Sequence, residues 1–109
     1  MRTYTDPAEK IELMTGEKFA IGLDSNWTTG YSWKLVGRKT AEKLKLLDSR
    51  YQPAGKAPPG AGGKEIWIFQ AVEAGKVTLS LEYIRRWGKD RSPLQSKSFM
   101  LILRKDKKD

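Results

Sequence analysis

The amino-acid sequence predicts an all-β fold, a sandwich of two antiparallel sheets with about seven to eight short strands. Three observations support this prediction. Apolar and polar residues alternate in several short runs, as they do in strands that bury one face. Gly, Pro, Asn or Asp separates these runs from one another. No stretch has the period of a long amphipathic helix, so the sheets must pack on each other.

The clearest strand is expected at residues 77–83. Its odd-numbered residues are apolar and its even-numbered residues are polar, which indicates one buried and one wet face. Weaker alternation predicts further strands in the regions 19–23, 31–35 and 99–103, an edge strand at 11–14 and another strand at 44–51. Residues 39–43 could add a helical turn.

Residues 66–69 are apolar on both faces, which predicts a central strand covered from two sides. The turn signal at 73–76 then favours a hairpin between this strand and the one at 77–83. Trp33 and Trp67 lie inside alternating runs, so we expect both in the core.

The length of 109 residues fits a single domain spanning 1–109, with a core at roughly 11–104 and a solvated basic tail at 104–109. No stretch approaches the roughly 20 apolar residues that a membrane span needs, and the first residues lack the apolar core of a signal peptide. We therefore expect no membrane partner. The location is expected to be cytoplasmic, or secreted, periplasmic or endo-lysosomal if a signal peptide has been removed.

The sequence contains neither cysteine nor histidine. It therefore lacks disulfides, thiolate nucleophiles, the commonest general base and the commonest soft metal ligands. Ser, Thr and Lys show no pair with diagnostic spacing, so we expect no enzyme, no metal and no cofactor. The net charge of +8 favours acidic partners without naming one.

The first of three unusual loops, residues 26–31, places a Trp and two hydroxyls where the chain must turn. Asn26 could close this turn with its side chain, and Gly30 could supply a positive φ. Neither role explains Trp27 at an exposed tip. The segment from Asn26 to Thr28 also matches a glycosylation acceptor, a short pattern that often arises by chance.

The second loop, residues 58–64, includes Gly60, Ala61, Gly62 and Gly63 within an interruption rich in Pro and Gly at 52–63. It lacks the spacing, the Lys-Ser/Thr ending and the following helix of a phosphate-binding loop. Its nearly bare backbone either lets another molecule approach closely or serves as a flexible linker.

The third loop, residues 85–91, is expected to be a hairpin connection between the last two strands. It carries Trp87 among the cations Arg85 and Arg86. An exposed Trp beside Arg is typical of a binding hot spot. The alternative is a Trp folded back onto the core and covered by the arginine stems.

Taken in this order, the three segments resemble the chagasin family of cysteine peptidase inhibitors. The family loops typically read Asn-Pro-Thr-Thr-Gly-Tyr, Gly-x-Gly-Gly and Arg-Pro-Trp or Phe, and the resemblance covers roughly residues 11–104 and includes Tyr31. It implies an immunoglobulin-like sandwich with the three loops at one end. It also implies a monomer that inhibits papain-like (clan CA) cysteine peptidases, such as papain or cathepsin L-type enzymes, tightly, reversibly and non-covalently.

The resemblance also implies a role for each loop. Thr28 and Thr29 would enter the cleft near the catalytic Cys and His, while the segment 60–63 and the segment 85–87 would clamp its sides. Trp27 and Arg86 depart from the pattern, because the family usually has Pro at both positions. The loss of two rigid rings is expected to soften the loops, although the contact area that Trp27 adds could offset this effect. Target preference, rather than inhibition itself, is expected to change.

A rival hypothesis is a basic domain that binds single-stranded nucleic acid. Trp27, Tyr31 and Trp87 would then be stacking platforms, and phosphates would contact the cations Arg85, Arg86, Lys89 and Arg91. An adhesion or carbohydrate-binding sandwich is a third possibility. Given the resemblance, nucleic acid is not the expected partner.

Overall fold

The structure is a computed structural model that describes residues 1–37, 40–53, 55, 62–89 and 92–106, without the side chain of residue 41. These residues form eight strands, one short helix and one 3-10 turn. The strands are β1 (Arg2–Tyr4), β2 (Ile11–Met14), β3 (Lys18–Ser25), β4 (Tyr31–Val36), β5 (Leu44–Pro53), β6 (Gly63–Ala71), β7 (Gly75–Arg85) and β8 (Gln95–Arg104). The 3-10 turn is Trp27–Thr29, and the helix α1 is Thr40–Lys43.

The strands form two four-stranded sheets, in the orders β1-β3-β6-β5 and β2-β8-β7-β4. The four pairings around the central strands are antiparallel. The short edge strands β1 and β2 instead run parallel to β3 and β8. The all-β sandwich and its approximate strand number are therefore confirmed. The parallel edge pairs were not predicted, since three or four residues carry too little alternation to fix a direction.

The core lies between the inward faces of the two sheets. On β7 every second residue is buried, from Val77 through Leu79 and Leu81 to Tyr83, as the alternation predicts. Phe19 and Phe69 stack in the opposite sheet with ring centroids 5.6 Å apart. Each fully buried aliphatic or aromatic side chain of this kind contributes about 1.5–3 kcal/mol. Trp33 and Trp67 are buried, which confirms their expected place in the core.

The expected hairpin between the segment 66–69 and the segment 77–83 is wrong. β6 and β7 belong to different sheets, and the residues between them carry the chain across the sandwich. The N–H groups of Val72 and Glu73 donate to the carbonyl oxygen of Lys43 at the end of α1, which holds this crossing in place. A short turn fits either a hairpin or a crossing, so alternation alone could not separate them.

β6 is a central strand, as expected, but it is not covered on both faces. Ile66 and Ile68 are half-buried, because the outer face of a two-layer sandwich has no third layer above it.

The strand β5 is longer than expected and includes Gln52 and Pro53, which the sequence assigned to a loop. Proline is tolerated there since β5 is an edge strand. The helical turn at Thr40–Lys43 is confirmed within the described residues.

The register brings the predicted loops to one end of the sandwich. Gly63 at the start of β6 pairs with Ser25 at the end of β3 and with Pro53 at the end of β5. In the other sheet Tyr31 at the start of β4 pairs with Arg85 at the end of β7. The ends of five strands thus lie at the same end of the sandwich as the described parts of the three loops. No helix among the described residues is long and apolar enough to cross a membrane.

Candidate functional site

The first loop is a single 3-10 turn that its own side chains close. The side-chain oxygen of Asn26 accepts from the backbone N–H of Thr28 at 3.1 Å and from the Thr28 hydroxyl at 2.5 Å. The hydroxyl of Thr29 donates to the carbonyl oxygen of Asn26 at 2.6 Å. Gly30 ends the turn with a φ of 85°, a left-handed conformation that favours glycine. The capping roles predicted for Asn26 and Gly30 are confirmed.

Thr28 and Thr29 are exposed at the tip of this turn. Because both hydroxyls are bonded within the loop, each side chain is held in one orientation before any partner arrives. β-Branched side chains also have few rotamers to lose. The tip is therefore already ordered in the free protein.

Trp27 is exposed, as expected, but its ring and its indole N–H also make contacts that the sequence did not predict. Its ring stacks on Tyr51 with centroids 4.6 Å apart and planes 17° from parallel. Its indole N–H donates to the carboxylate of Glu65 at 3.1 Å. The side chain is 39% exposed, so it still contributes to the surface while anchoring the loop to the sheet below.

Glu65 is a buried carboxylate that sequence analysis missed. It is 4% exposed and accepts four hydrogen bonds. The donors are the Ser25 hydroxyl at 2.6 Å, the Trp33 backbone N–H at 3.0 Å, and the indole N–H groups of Trp27 at 3.1 Å and Trp67 at 3.3 Å. One signal could have found it: in β6 it shares the inward face with Trp67. A buried acid requires hydrogen-bond donors, and the donors to Glu65 lie at the base of the first loop.

A second buried side chain also supports the first loop. The Tyr83 hydroxyl accepts from the backbone N–H of Asn26 at 2.9 Å and donates to the Asn26 carbonyl oxygen at 3.4 Å. The Tyr83 ring packs against Tyr31 and Trp33, with centroids 5.4 and 5.1 Å away. The residue that begins the loop is therefore fixed to the core of the opposite sheet.

The second loop is only partly within the described residues, since Gly60 and Ala61 lie outside them. Gly62 has a φ of 89°, and Gly63 is already a strand residue with partners on both sides. The backbone of Gly63 is therefore held between β3 and β5. A Cβ at this position would collide with the carbonyl oxygen of Gln52, so the glycine permits the close approach of β5 and β6.

In the third loop Trp87 is 60% exposed and is not folded back onto the core. Its ring lies against Gly30, where an added Cβ would be 2.9 Å from two ring carbons. Arg85 extends over the ring of Tyr31, with 5.9 Å from the guanidinium carbon to the ring centroid. The third loop thus packs on the residues that end the first.

Arg86 connects these two loops directly. Its guanidinium donates to the carbonyl oxygen of Trp27 at 2.7 Å, and its backbone N–H donates to the carbonyl oxygen of Gly30 at 2.8 Å. The guanidinium carbon lies 5.3 Å from the ring centroid of Trp27 and 5.4 Å from that of Trp87. The sequence did not predict this direct contact between Trp27 and Arg86, which opposes the expected softening of the loops.

The nucleic-acid hypothesis finds little support in this geometry. Of its three stacking platforms, Trp27 is stacked on Tyr51 and Tyr31 is stacked on Tyr83. Trp87 alone of the three has most of its surface exposed. Within the described residues no cluster of acidic side chains could hold a metal ion.

Comparison with known proteins decides the family. The model of the chagasin family of peptidase inhibitors (I42) matches residues 12–101. The chain belongs to the chagasin family. Chagasin of Trypanosoma cruzi is 31% identical over 80 residues, which cover 71% of this chain and 73% of chagasin. The resemblance predicted from the three loops is confirmed.

Solved structures agree on the fold. The cysteine protease inhibitor EhICP2 of Entamoeba histolytica superposes with a TM-score of 0.77 at 20% identity, covering 94% of this chain and 95% of EhICP2. Amebosin gives 0.69 at 27% identity, with 96% and 97% covered. PbICP-C, solved in complex with falcipain-2, gives 0.60 at 17% identity, with 95% and 89% covered. The family consists of inhibitors, so the prediction of a chagasin-type inhibitor rather than an enzyme is confirmed.

Proposed function

We propose that this chagasin-family inhibitor of cysteine peptidases fills the active-site cleft of a papain-like enzyme reversibly and without covalent chemistry. The first loop would be the wedge, and the second and third loops would clamp its sides. One observation carries the proposal: strand register places the exposed Thr28, Thr29 and Trp87 together at one end, on loops already bonded to each other. The inhibitor would act as a monomer.

The shape of the first loop explains how it could enter a cleft without being cleaved. A substrate binds a papain-like enzyme as an extended strand, whereas here the N–H groups of Thr29 and Gly30 donate back to the carbonyl oxygens of Asn26 and Trp27. The left-handed Gly30 then turns the chain away. Its peptide bonds would therefore not reach the geometry that attack by the catalytic thiolate requires.

Order in the free loop should favour tight binding. The hydroxyls of Thr28 and Thr29 are bonded to Asn26, and the loop is tied to Glu65 and Tyr83 below it. Little conformational entropy remains to be lost when such a loop docks. This preorganisation compensates for the small contact area that two threonines offer.

Trp87 would be the main anchor of the clamp. An exposed Trp at the centre of a protein interface commonly costs about 2 kcal/mol or more when truncated. Arg85, Arg86 and Lys89 flank it in the sequence and make the third loop positively charged, which would favour peptidases with acidic groups at the rim of the cleft. In the second loop, Gly60, Ala61 and Gly62 are proposed as contacts because of their resemblance to the family motif.

Inhibition of papain and of a cathepsin L-type peptidase tests this proposal. We expect stoichiometric loss of peptidase activity with the wild-type protein, and recovery of the intact inhibitor by mass spectrometry. The variant Thr28→Ala/Thr29→Ala/Trp87→Ala should lose inhibition but keep its unfolding transition. The control Met14→Ala/Met100→Ala removes exposed apolar groups from β2 and β8 and should inhibit like wild type. A wild-type protein that inhibits neither enzyme at micromolar concentration would refute the proposal.

A further inference from the structure

Arg86 makes two kinds of contact with the first loop. Its side chain bonds to the carbonyl oxygen of Trp27, and its backbone N–H bonds to the carbonyl oxygen of Gly30. The first is a charge-assisted hydrogen bond, which is stronger than a neutral one. The Trp27 carbonyl also accepts the N–H of Gly30, so Arg86 binds the same oxygen that closes the 3-10 turn.

The residue that Arg86 contacts, Trp27, is itself tied to the sheet below by two contacts. Trp27 is stacked on Tyr51 and is bonded through its indole N–H to the buried Glu65. A guanidinium bonded to such a fixed residue has a defined position, because its plane and its donors are rigid relative to one another. Contacts thus connect Arg86 through Trp27 to the buried Glu65, and they define the position of the guanidinium.

Trp87 lacks that kind of support from the core. It is 60% exposed, and its described neighbours include Gly30, which it touches, and Arg86, whose guanidinium carbon lies 5.4 Å from its ring centroid. A cation over an indole face is attractive and favours one ring orientation. Arg86 therefore stands between a fixed indole and an exposed one.

We infer that Arg86 is a positioning residue, which holds the exposed indole of Trp87 at a set place relative to Thr28 and Thr29. The inference deepens the proposed function and rests on it for the effect on inhibition. Trp27 and Arg86 stand where the family usually has proline. Instead of the rigid proline rings, they provide a hydrogen bond that joins the first loop to the third. The guanidinium, and not its charge alone, is what this role requires.

The first test is made on the free protein and does not depend on any peptidase. The heteronuclear NOE of the Trp87 indole N–H reports its order on the picosecond to nanosecond timescale. We expect an ordered indole in wild type and a mobile one in both Arg86→Met and Arg86→Lys. The control Arg104→Met removes the same charge at the other end of the sandwich and should leave the Trp87 signal unchanged. An indole that stays ordered without the guanidinium would overturn the inference.

The second test is a double-mutant cycle on inhibition of papain. Arg86→Met should weaken inhibition by about tenfold or more, because the indole it orients no longer docks in one pose. In the Trp87→Ala background the same change should have a much smaller effect. Effects that simply add would mean that Arg86 acts independently of Trp87. If the wild-type protein does not inhibit, the proposed function fails, while the indole measurement still decides the positioning role.

Discussion

The carboxylate of Glu65 accepts the indole N–H of Trp27 at 3.1 Å, which joins a buried strand of one sheet to the exposed first loop. The same carboxylate also accepts from Ser25, Trp33 and Trp67. All four donors are neutral. Among the described residues no buried side-chain nitrogen or oxygen lacks a hydrogen-bond partner. Beneath the first loop, Glu65 is the acceptor for four donor groups. The conformation of the first loop thus depends on hydrogen bonds to the buried core.

Replacement of Glu65 should therefore destabilise the fold and disorder the first loop together. Glu65→Ala leaves the donors of Ser25, Trp33 and Trp67 without their acceptor, and each such buried group costs about 1–3 kcal/mol. We expect the free energy of unfolding to fall by about 3 kcal/mol or more, as measured by urea denaturation. Glu65→Gln, which keeps one acceptor oxygen, should lose less.

Glu73→Ala is the matched control for this prediction. Its side chain is 63% exposed and its ion pair with Lys43 is at the surface, so its removal should cost less than about 1 kcal/mol. Equal losses in Glu65→Ala and Glu73→Ala would show that the four hydrogen bonds contribute little to stability.

Much of the fold could be predicted from sequence because alternation directly records which face of a strand is buried. The strand at 77–83 and the core positions of Trp33 and Trp67 follow from it. The same rule marks Glu65 as inward, but it cannot say which donors a buried acid will find. Three of the four donors come from β3, β4 and the first loop, and strand register and sheet packing bring them to Glu65.

The contacts between loops were also out of reach of sequence analysis. Resemblance to a family picked out 26–31, 58–64 and 85–91, and the register brings the described parts of all three to one end. It could not show that Arg86 reaches the carbonyl oxygen of Trp27, since this bond joins residues 59 positions apart. The family pattern predicts that Trp27 and Arg86, in place of proline, reduce the stiffness of the loops; in the structure the same two residues add a hydrogen bond between them.

Gly30→Ala should weaken inhibition by displacing Trp87. Alanine at a φ of 85° is strained by about 1–2 kcal/mol, and its Cβ would lie 2.9 Å from the Trp87 ring, which must move. The matched control is Gly16→Ala, at a φ of 94° with no neighbouring atom within 4 Å of the added Cβ. Both variants should lose similar stability on urea denaturation, but inhibition of papain should weaken in Gly30→Ala alone. Parallel losses of inhibition would mean that backbone strain, and not the Trp87 contact, is responsible.

Gly63→Ala should separate β5 from β6 at the end that carries the second loop. The added Cβ would collide with the Gln52 carbonyl oxygen, which is backbone and cannot rotate away. Overpacking of this kind costs about 1–3 kcal/mol, and hydrogen exchange of the paired amides near Pro53 should become faster. Gly22→Ala is the comparison, because its Cβ meets the side-chain methyl groups of Thr3 and Thr5 at 3.3 Å, and these can shift. A Gly63→Ala variant as stable as Gly22→Ala would contradict the close approach of the two strands.

Tyr83→Phe should loosen the base of the first loop while keeping the aromatic packing around it. The Phe ring can still pack on Tyr31 and Trp33, but the N–H of Asn26 loses the hydroxyl that accepts it at 2.9 Å. We expect a loss of about 1–2 kcal/mol in the free energy of unfolding and faster hydrogen exchange at the Asn26 amide.

Tyr51→Phe tests whether this effect belongs to the Tyr83 hydroxyl. It keeps the stack on Trp27 and removes a hydroxyl that makes no hydrogen bond within the described part of the chain. Its Asn26 amide should exchange at the wild-type rate. Since the amide of Asn26 begins the turn that presents Thr28 and Thr29, Tyr83→Phe should also weaken inhibition of papain more than Tyr51→Phe does. An Asn26 amide that stays protected in Tyr83→Phe would show that the turn is held by its own hydrogen bonds and does not need the core.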